Sequence, residues 1–228
     1  MKLFERHIRT GNEKLNYLLY APDDFKPNLP MITFLHGAGE RGVNTENLYR
    51  HGIPKLIKEG LEIPAFILIP QCHENYVWNN LVEELMKLID NIAEKYNADR
   101  ERLSVTGGSM GGFGAWEMGM CFPNRFSAIA PICGGGLSWR ASNLIKTPVF
   151  AYHGACDDTV PVVYSQLMVD AVKKECGKVT FTLFENTGHN DAIHKAYTET
   201  DLIDKLINTV RKDFSEVKEA FSQYFNMD

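Results

Sequence analysis

The chain has 228 residues, of which 44% are apolar, and it carries a formal net charge of −5. This length and apolar content suit a single α/β domain, residues 1–228, with a sizeable core. The mild acidic charge, without any long basic run, argues against nucleic acid and anionic membranes as partners.

The N-terminus lacks the apolar core of a signal peptide, and no stretch of about 18 apolar residues is present to cross a bilayer. Five scattered cysteines without a C-x-x-C pair predict free thiols in a reducing compartment, not a disulfide framework or a zinc site. We therefore expect a cytoplasmic protein that uses neither a metal nor an organic cofactor. These cysteines are Cys72, Cys121, Cys133, Cys156 and Cys176.

Residues 1–30 predict an antiparallel hairpin at one edge of a sheet, followed by a polar loop that contains prolines. Two loosely alternating segments, residues 3–9 and 14–20, flank the turn sequence Gly11-Asn12. The apolar run at residues 31–35 predicts a buried strand that ends in a glycine-rich loop.

Strands and helices then alternate as far as residue 184. The apolar runs predict strands at residues 65–70, 103–106, 127–133, 148–153 and 179–184. The intervening segments predict helices at residues 49–58, 81–96, 113–122 and 162–174, the second of them capped by Asn79 or Asn80. This pattern predicts a mostly parallel central sheet with helices on both faces. The segment 134–147 is short and polar, so we expect no large lid domain.

The C-terminal tail, residues 200–228, carries apolar residues at spacings of three and four, which predicts an amphipathic helix from Asp201 to Tyr224. The sequence Asp213-Phe214-Ser215 is a candidate break that would divide it into two helices. The apolar stripe is expected to pack on its own domain, and a homodimer contact is the alternative. The stripe consists of Ile203, Leu206, Val210, Phe214, Val217, Phe221 and Tyr224.

The sequence Gly107-x-Ser109-x-Gly111 lies between a predicted strand and a predicted helix. A G-x-S-x-G sequence in that context is typical of a nucleophile elbow, because the glycines permit a tight turn that exposes the serine hydroxyl. The Met110 N–H then lies at a helix start, where it can face a developing oxyanion. The alternative is a glycine-rich turn with an incidental serine.

A serine nucleophile needs a base, which is most often a histidine oriented by a carboxylate. Asp157 follows the predicted strand that ends at residue 153, and His189 follows the strand that ends at residue 184. The order Ser109, Asp157, His189 is the one expected for this architecture. Asp158 remains an alternative acid, and His194, within a predicted helix, remains an alternative base.

Four segments together resemble α/β-hydrolases of the esterase branch: residues 35–42, 107–114, 153–161 and 188–189. The chain is most similar to the group of predicted peptidases, feruloyl and acetyl esterases, and polyhydroxybutyrate-depolymerase-like esterases. The resemblance implies an α/β-hydrolase fold in which Ser109 attacks an acyl carbon. It also implies that His189 transfers the proton, that Asp157 orients His189, and that the Ala38 and Met110 N–H groups form the oxyanion hole.

Other residues near these segments have weaker signals. Trp78 is a candidate substrate contact, with packing at a helix start as the alternative, and Trp139 is a candidate to stack on a substrate ring. His36 is expected to pack behind the oxyanion loop. Adjacency predicts an ion pair between Glu40 and Arg41. Cys156 is expected to be a small buried side chain.

The sequence therefore predicts a serine esterase that cleaves small-molecule carboxylic esters, of short-chain or feruloyl/acetyl type, through an acyl-enzyme. A peptidase or a thioesterase on the same triad is the alternative among enzymes. A non-catalytic binding protein that kept the fold is the alternative outside them.

Overall fold

The computed structural model describes residues 1–7, 15–23 and 27–211, and in this part of the chain an eight-stranded sheet forms the centre of the fold. Its spatial order is β1-β2-β4-β3-β5-β6-β7-β8. Strands β3 to β8 are parallel, whereas β2 pairs antiparallel with both β1 and β4. The strands are β1 (Lys2–His7), β2 (Asn16–Ala21), β3 (Met31–Leu35), β4 (Phe66–Gln71), β5 (Leu103–Gly108), β6 (Ala128–Ile132), β7 (Val149–Gly154) and β8 (Val179–Phe184).

The prediction of a mostly parallel sheet with an antiparallel hairpin at its edge is confirmed, since β1 is the terminal strand. The predicted turn at Gly11-Asn12 lies outside the described residues. Because the parallel strands run in one direction, Leu35, Gly108, Ile132, Gly154 and Phe184 all end at the same edge of the sheet. Loops that follow these residues are the usual place for ligands in such folds.

Helices cover both faces of the sheet. They are α1 (Gly52–Lys58), α2 (Val82–Lys95), α3 (Met110–Cys121), α4 (Val163–Lys174), α5 (His189–Thr198) and α6 (Leu202–Asn208). Short 3-10 helices occur at Ala38–Glu40, Thr45–Tyr49, Trp78–Asn80 and Ser138–Leu144. Buried side chains of α2, α3 and α4 belong to one core, and those of α1, α5 and α6 belong to the other.

Strand β3 shows why the central strands are almost wholly apolar. Met31 and Leu35 point into the core beneath α2, α3 and α4, whereas Ile32 and Phe34 point into the opposite core. Both sets are buried, so neither face of the strand meets water.

The predicted cap of α2 is wrong. Leu81 occupies the N-cap position and makes no side-chain capping bond. The Asn80 side chain instead accepts a hydrogen bond of 3.1 Å from the Val77 N–H. A 3-10 turn, Trp78–Asn80, therefore precedes α2. The Asn80 side chain binds within this turn and does not cap the helix as predicted.

The predicted long C-terminal helix is also interrupted early. Helix α6 ends at Asn208, and residues 209–211 are not helical. The Arg211 N–H donates to the Glu101 carbonyl at 2.8 Å, which directs the chain along the body of the domain. Leu206 is buried in the core, as expected for a stripe that packs on its own domain. Ile203 packs against the same core and is partly buried, whereas Val210 is 46% exposed. The stripe residues from Phe214 onward and the candidate break at Asp213 lie outside the described residues.

Between β6 and β7 the chain forms only the 3-10 helix Ser138–Leu144 and short connections, so the expected absence of a large lid at this point is confirmed. This segment is fixed to α3 by two side chains. Arg140 Nη1 donates to Glu117 Oε1 at 2.8 Å, and Asn143 Nδ2 donates to the Met120 carbonyl at 2.8 Å. Across the described residues, no helix has the length and apolar character that crossing a membrane requires.

Candidate active site

Ser109 occupies a strained turn between β5 and α3. Its backbone angles are φ 58° and ψ −124°, a region that residues with a Cβ atom rarely adopt. A Cβ atom on Gly107 or Gly111 would overlap the Leu35 carbonyl, so the glycines permit α3 to approach the end of β3 this closely. The strand–turn–helix context that a nucleophile elbow requires is therefore present.

The elbow and the start of α5 meet at the end of β6. The Ser109 N–H donates to the Ile132 carbonyl at 3.0 Å, and the next residue, Cys133, places its thiol 3.8 Å from the His189 carbonyl. Ile193, one turn into α5, packs against Gly108, where an added Cβ would lie 2.7 Å from its side chain. The fold thus brings the first turn of α5, which carries His189, next to the elbow.

Asp157 and His189 form a direct side-chain pair. His189 Nδ1 lies 2.6 Å from Asp157 Oδ2, and the Asp157 side chain is fully buried while that of His189 is 10% exposed. Asp157 Oδ1 accepts hydrogen bonds from the N–H groups of Thr159, at 3.0 Å, and Val160, at 2.8 Å. Burial is the largest influence on the pKa of Asp157 and raises it, but these hydrogen bonds together outweigh burial and lower the pKa. Asp157 is therefore ionised at neutral pH.

A second imidazole, His153, lies beside the same carboxylate and was not identified as a site residue from the sequence. Its Nε2 lies 3.3 Å from Asp157 Oδ2 and 2.8 Å from the Val160 carbonyl, and its Nδ1 lies 2.7 Å from Ser165 Oγ. The side chain is fully buried, and burial is the main reason that its pKa is lowered. The available signal was the spacing of four residues between His153 and Asp157.

The loop that follows β3 lies beside Ser109. A Cβ atom on Gly37 would lie 3.8 Å from Ser109 Cβ, and Ala38 begins the next 3-10 turn. Met110 is the first residue of α3, so its N–H has no helical carbonyl partner. Both N–H groups that the sequence predicts for an oxyanion hole are thus at helix starts on this edge of the sheet.

His36 holds this loop from behind, as expected. Its Nδ1 lies 2.6 Å from the Gly37 carbonyl, and its Nε2 accepts the Cys72 N–H at 2.9 Å. The carbonyl can only accept and the amide can only donate, so these partners select the neutral tautomer with the proton on Nδ1. Burial lowers the pKa of His36 to about 4, in agreement with that assignment.

The predicted ion pair between Glu40 and Arg41 is wrong. The Glu40 side chain turns inward and its Oε1 lies 3.8 Å from His51 Nε2, and burial raises its pKa. Arg41 extends along the surface instead, donating to the carbonyls of Ala38, at 2.9 Å, and Tyr76, at 3.3 Å. Neighbouring residues of a tight turn point in different directions, which is why adjacency misled the prediction.

Trp78 is not a substrate contact, and its role is packing at the helix start. The side chain is fully buried, its indole N–H donates to the His36 carbonyl at 3.0 Å, and its ring meets the His36 ring edge to face at 5.0 Å between centroids. Trp139 differs, because 77% of its surface is exposed in the segment that follows β6.

Asp158, His194 and Cys156 all have exposed side chains. Asp158 accepts a hydrogen bond from the Thr159 hydroxyl at 3.3 Å, so Asp157 is the carboxylate that meets His189. His194 lies on the exposed side of α5. The exposure of Cys156 corrects the expectation of a buried thiol.

One group of metal-ligating side chains comes together among the described residues, formed by Cys133, His153 and Asp157, with ligand atoms within 4.8 Å of one another. Burial raises the pKa of the Cys133 thiol well above its usual range, so the sulfur keeps its proton. Asp157 is already occupied by His189 and by two backbone N–H groups. These donors therefore fit a hydrogen-bonded cluster better than a metal site.

The fold and the arrangement at its carboxyl edge define an α/β-hydrolase. The chain belongs to the Phospholipase/Carboxylesterase family, whose model matches residues 68–207. The predicted fold and the predicted family resemblance are confirmed.

Similarity to individual proteins agrees with this class. The chain is 25% identical over 147 residues to a bifunctional acetylxylan esterase/xylanase of Neocallimastix patriciarum, covering 62% of this chain and 21% of that protein. It is 42% identical over 59 residues to an S-formylglutathione hydrolase of Paracoccus denitrificans, covering 25% of this chain and 20% of that protein. The chain therefore spans only about a fifth of the length of these curated relatives.

Solved structures show the same fold. A thermostable esterase superposes with a TM-score of 0.78 at 28% identity, covering 91% of this chain and 63% of that one. The feruloyl esterase module from Clostridium thermocellum, complexed with sinapinate, superposes with a TM-score of 0.71 at 16% identity, covering 93% and 90%. The second similarity concerns the fold alone.

Proposed function

We propose that this chain hydrolyses carboxylic esters through an acyl-enzyme, with Ser109 as nucleophile, His189 as general base and Asp157 as the carboxylate that orients it. The observation that carries the proposal is the 2.6 Å contact between His189 Nδ1 and a buried, ionised Asp157. An acceptor at Nδ1 requires the proton there, which leaves Nε2 free to take the proton of a serine hydroxyl.

In the proposed reaction, Ser109 Oγ attacks the ester carbonyl carbon while His189 Nε2 takes its proton. The tetrahedral intermediate places its oxyanion against the N–H groups of Ala38 and Met110. Each such donor contributes about 2.7–4 kcal/mol to transition-state stabilisation. The C–O bond to the alcohol breaks as His189 returns the proton to the leaving oxygen. Water then attacks the acyl-enzyme by the same sequence of steps and releases the acid.

The substrate we propose is a small or aromatic acyl ester of a polar alcohol. The segment after β6 is fixed to α3 by Arg140 and Asn143 and carries no apolar helix of the kind that covers a long acyl chain. It presents Trp139 to solvent as a surface on which an aromatic acyl group or a sugar can stack. The acetylxylan esterase/xylanase among the relatives supports the same class of substrate.

A fluorophosphonate probe tests the chemistry. We expect a single adduct, mapped by mass spectrometry to Ser109, in native protein and none in heat-denatured protein or in Ser109→Ala. Absence of labelling in native protein would instead favour a binding protein that kept the fold. A panel of methyl ferulate, acetylated oligosaccharides, an acetyl thioester and a peptide amide then separates an esterase from a thioesterase or a peptidase.

A further inference from the structure

The hydrogen-bond partners of His153 determine where it carries a proton. Its Nε2 faces two groups that only accept, the Val160 carbonyl at 2.8 Å and the ionised Asp157 carboxylate at 3.3 Å. A bare nitrogen lone pair against both oxygens would be repelled, so Nε2 carries a hydrogen. The shorter contact is the hydrogen bond, and the longer one adds electrostatic attraction between the N–H and Oδ2.

The other end of the His153 ring is also fixed. Nδ1 lies 2.7 Å from Ser165 Oγ, and this hydroxyl lies 2.7 Å from the Gly134 carbonyl. His153 and Ser165 are both fully buried. The His153 ring is therefore held at Nε2 by the loop that follows β7 and at Nδ1 by Ser165 of α4.

His153 acts on both oxygens of Asp157. It faces Oδ2 directly, which is the oxygen that meets His189 Nδ1 at 2.6 Å. It also binds the carbonyl of Val160, the residue whose N–H donates to Oδ1 at 2.8 Å. The Nε2–H of His153 thus acts in two ways. It restrains the loop whose N–H groups hold Oδ1, and it lies directly against Oδ2.

We propose that His153 is a positioning residue that fixes the plane of the Asp157 carboxylate, so that Oδ2 stays directed at His189 Nδ1. Without it, Val160 loses the hydrogen bond to its carbonyl and Oδ2 loses its second neighbour, so the carboxylate plane is less firmly fixed and His189 is held less firmly in the tautomer with a free Nε2. The inference rests on the proposed function, because it concerns the acid of the proposed triad. The proposed role depends on the N–H at the Nε2 position of His153, and a substitution can keep or remove that group.

The test compares two amides of similar size. In His153→Gln the side-chain N–H reaches the former Nε2 position and can donate to Val160, whereas in His153→Asn the amide lies near the former Nδ1 position and cannot reach it. With an activated acetyl ester we expect kcat to fall about 10- to 100-fold in His153→Asn, by analogy with the loss of a hydrogen-bond partner that orients a metal-ligating histidine. We expect KM to change less than about twofold, since His153 is buried away from substrate, and His153→Gln to stay within about threefold of the wild type.

A buried polar residue at the amino ends of the parallel strands, away from the proposed site, serves as the control for stability. Ser127 donates to the Leu103 carbonyl at 3.1 Å at the start of β6, and Ser127→Ala should lower the melting temperature while leaving kcat unchanged. Proton NMR gives a second readout. The low-field signal of the short His189–Asp157 hydrogen bond, assigned by its loss in Asp157→Asn, should broaden in His153→Asn and persist in His153→Gln.

Equal kcat values for the two amide variants, or an unchanged low-field signal in His153→Asn, would overturn the positioning role and leave His153 as packing. The proposed function fails by a different result, namely wild-type protein that is not labelled at Ser109 or an Asp157→Asn variant that keeps full activity. If His153→Asn does not fold, Ser165→Ala replaces it, because loss of the hydroxyl at Nδ1 should produce a smaller fall in kcat with the same unchanged KM.

Discussion

Asp157 and His189 meet because the loops that carry them are joined by backbone hydrogen bonds. The Ala155 N–H donates to the Phe184 carbonyl at 2.9 Å, and the Cys156 N–H donates to the Thr187 carbonyl at 3.0 Å. These loops follow the neighbouring strands β7 and β8. The 2.6 Å contact between the two side chains is therefore set by the sheet register and by backbone bonds, without dependence on long flexible side chains.

Substitutions at Asp157 and Asp158 should show which of these two adjacent carboxylates orients His189. We expect Asp157→Asn to lower kcat by up to about 10⁴-fold, because the amide permits the wrong His189 tautomer. Asp158→Asn is the matched control and should keep most activity, since Asp158 is exposed and contacts Thr159. Hydrolysis of an activated acetyl ester measures both, and the opposite ranking would show that Asp158 is the acid.

Ser109→Ala and His189→Ala should lower kcat by similar factors, because members of a triad act as a unit. We expect losses of about 10⁴-fold or more in each, with the melting temperature little changed. His194→Ala is the control on the same helix and should be mild, because this side chain is exposed. A larger loss in His194→Ala than in His189→Ala would move the base to His194.

The positions of strands and site loops could be predicted from the sequence because strong local constraints specify them. Strand β3 is buried on both faces, so its residues are all apolar except Thr33. The glycines around Ser109 are required by the approach of α3 to Leu35. The loops with Asp157 and His189 follow from the strand order. Each of these features restricts the residue types over a short continuous segment of the sequence.

Features that depend on tertiary packing could not be predicted in the same way. Trp78 is buried in the core, and its indole N–H donates to the carbonyl of His36, 42 residues away in the sequence. The direction of Glu40 depends on His51, and the role of His153 depends on Ser165 from the next helix. The end of α6 at Asn208 precedes a contact between Arg211 and Glu101. No local pattern marks these partners.

The buried neutral His36 predicts a loss of stability in mild acid. In the unfolded chain its pKa is about 6.5, whereas in the folded protein it is about 4. Between these values the unfolded state binds a proton that the folded state does not, so the free energy of unfolding falls as pH decreases from about 6.5 to about 4. The full effect is at most about 3 kcal/mol.

Chemical denaturation at several pH values checks this sign. His36→Gln should be less stable than the wild type at pH 7 and should lose less stability between pH 7 and pH 4.5. Glu40, whose pKa is raised by burial and whose Oε2 lies 4.0 Å from His36 Nδ1, contributes with the opposite sign. The exposed His194→Gln should follow the wild-type curve. Parallel curves for wild type and His36→Gln would contradict the prediction.

Gly111→Ala should destabilise the protein strongly. The added Cβ would overlap the Leu35 carbonyl, a backbone atom that cannot rotate away, so either β3 or α3 must shift. Overpacking against side chains costs about 1–3 kcal/mol, and a backbone clash should reach or exceed the upper end. Gly39→Ala is the control, because its Cβ would meet only the Arg50 guanidinium at 4.0 Å. Equal melting temperatures for the two variants would mean that the elbow has room to relax.

The last prediction concerns the substrate surface. Trp139 is 77% exposed, and it lies in a segment that is fixed to α3 through the ion pair between its neighbour Arg140 and Glu117. If it stacks on aromatic acyl groups, Trp139→Ala should raise KM for methyl ferulate about 5- to 10-fold, equivalent to the roughly 1 kcal/mol of an aromatic pair. The KM for methyl butyrate should not change, and neither should kcat for either ester. Leu137→Ala serves as the control, since Leu137 is an exposed apolar side chain two residues away without a ring to stack.

A p-nitrophenyl ester series from two to sixteen carbons completes the measurement, and we expect kcat/KM to fall steeply with chain length. A maximum at long chains, or equal losses for both methyl esters in Trp139→Ala, would show that this segment binds aliphatic chains instead.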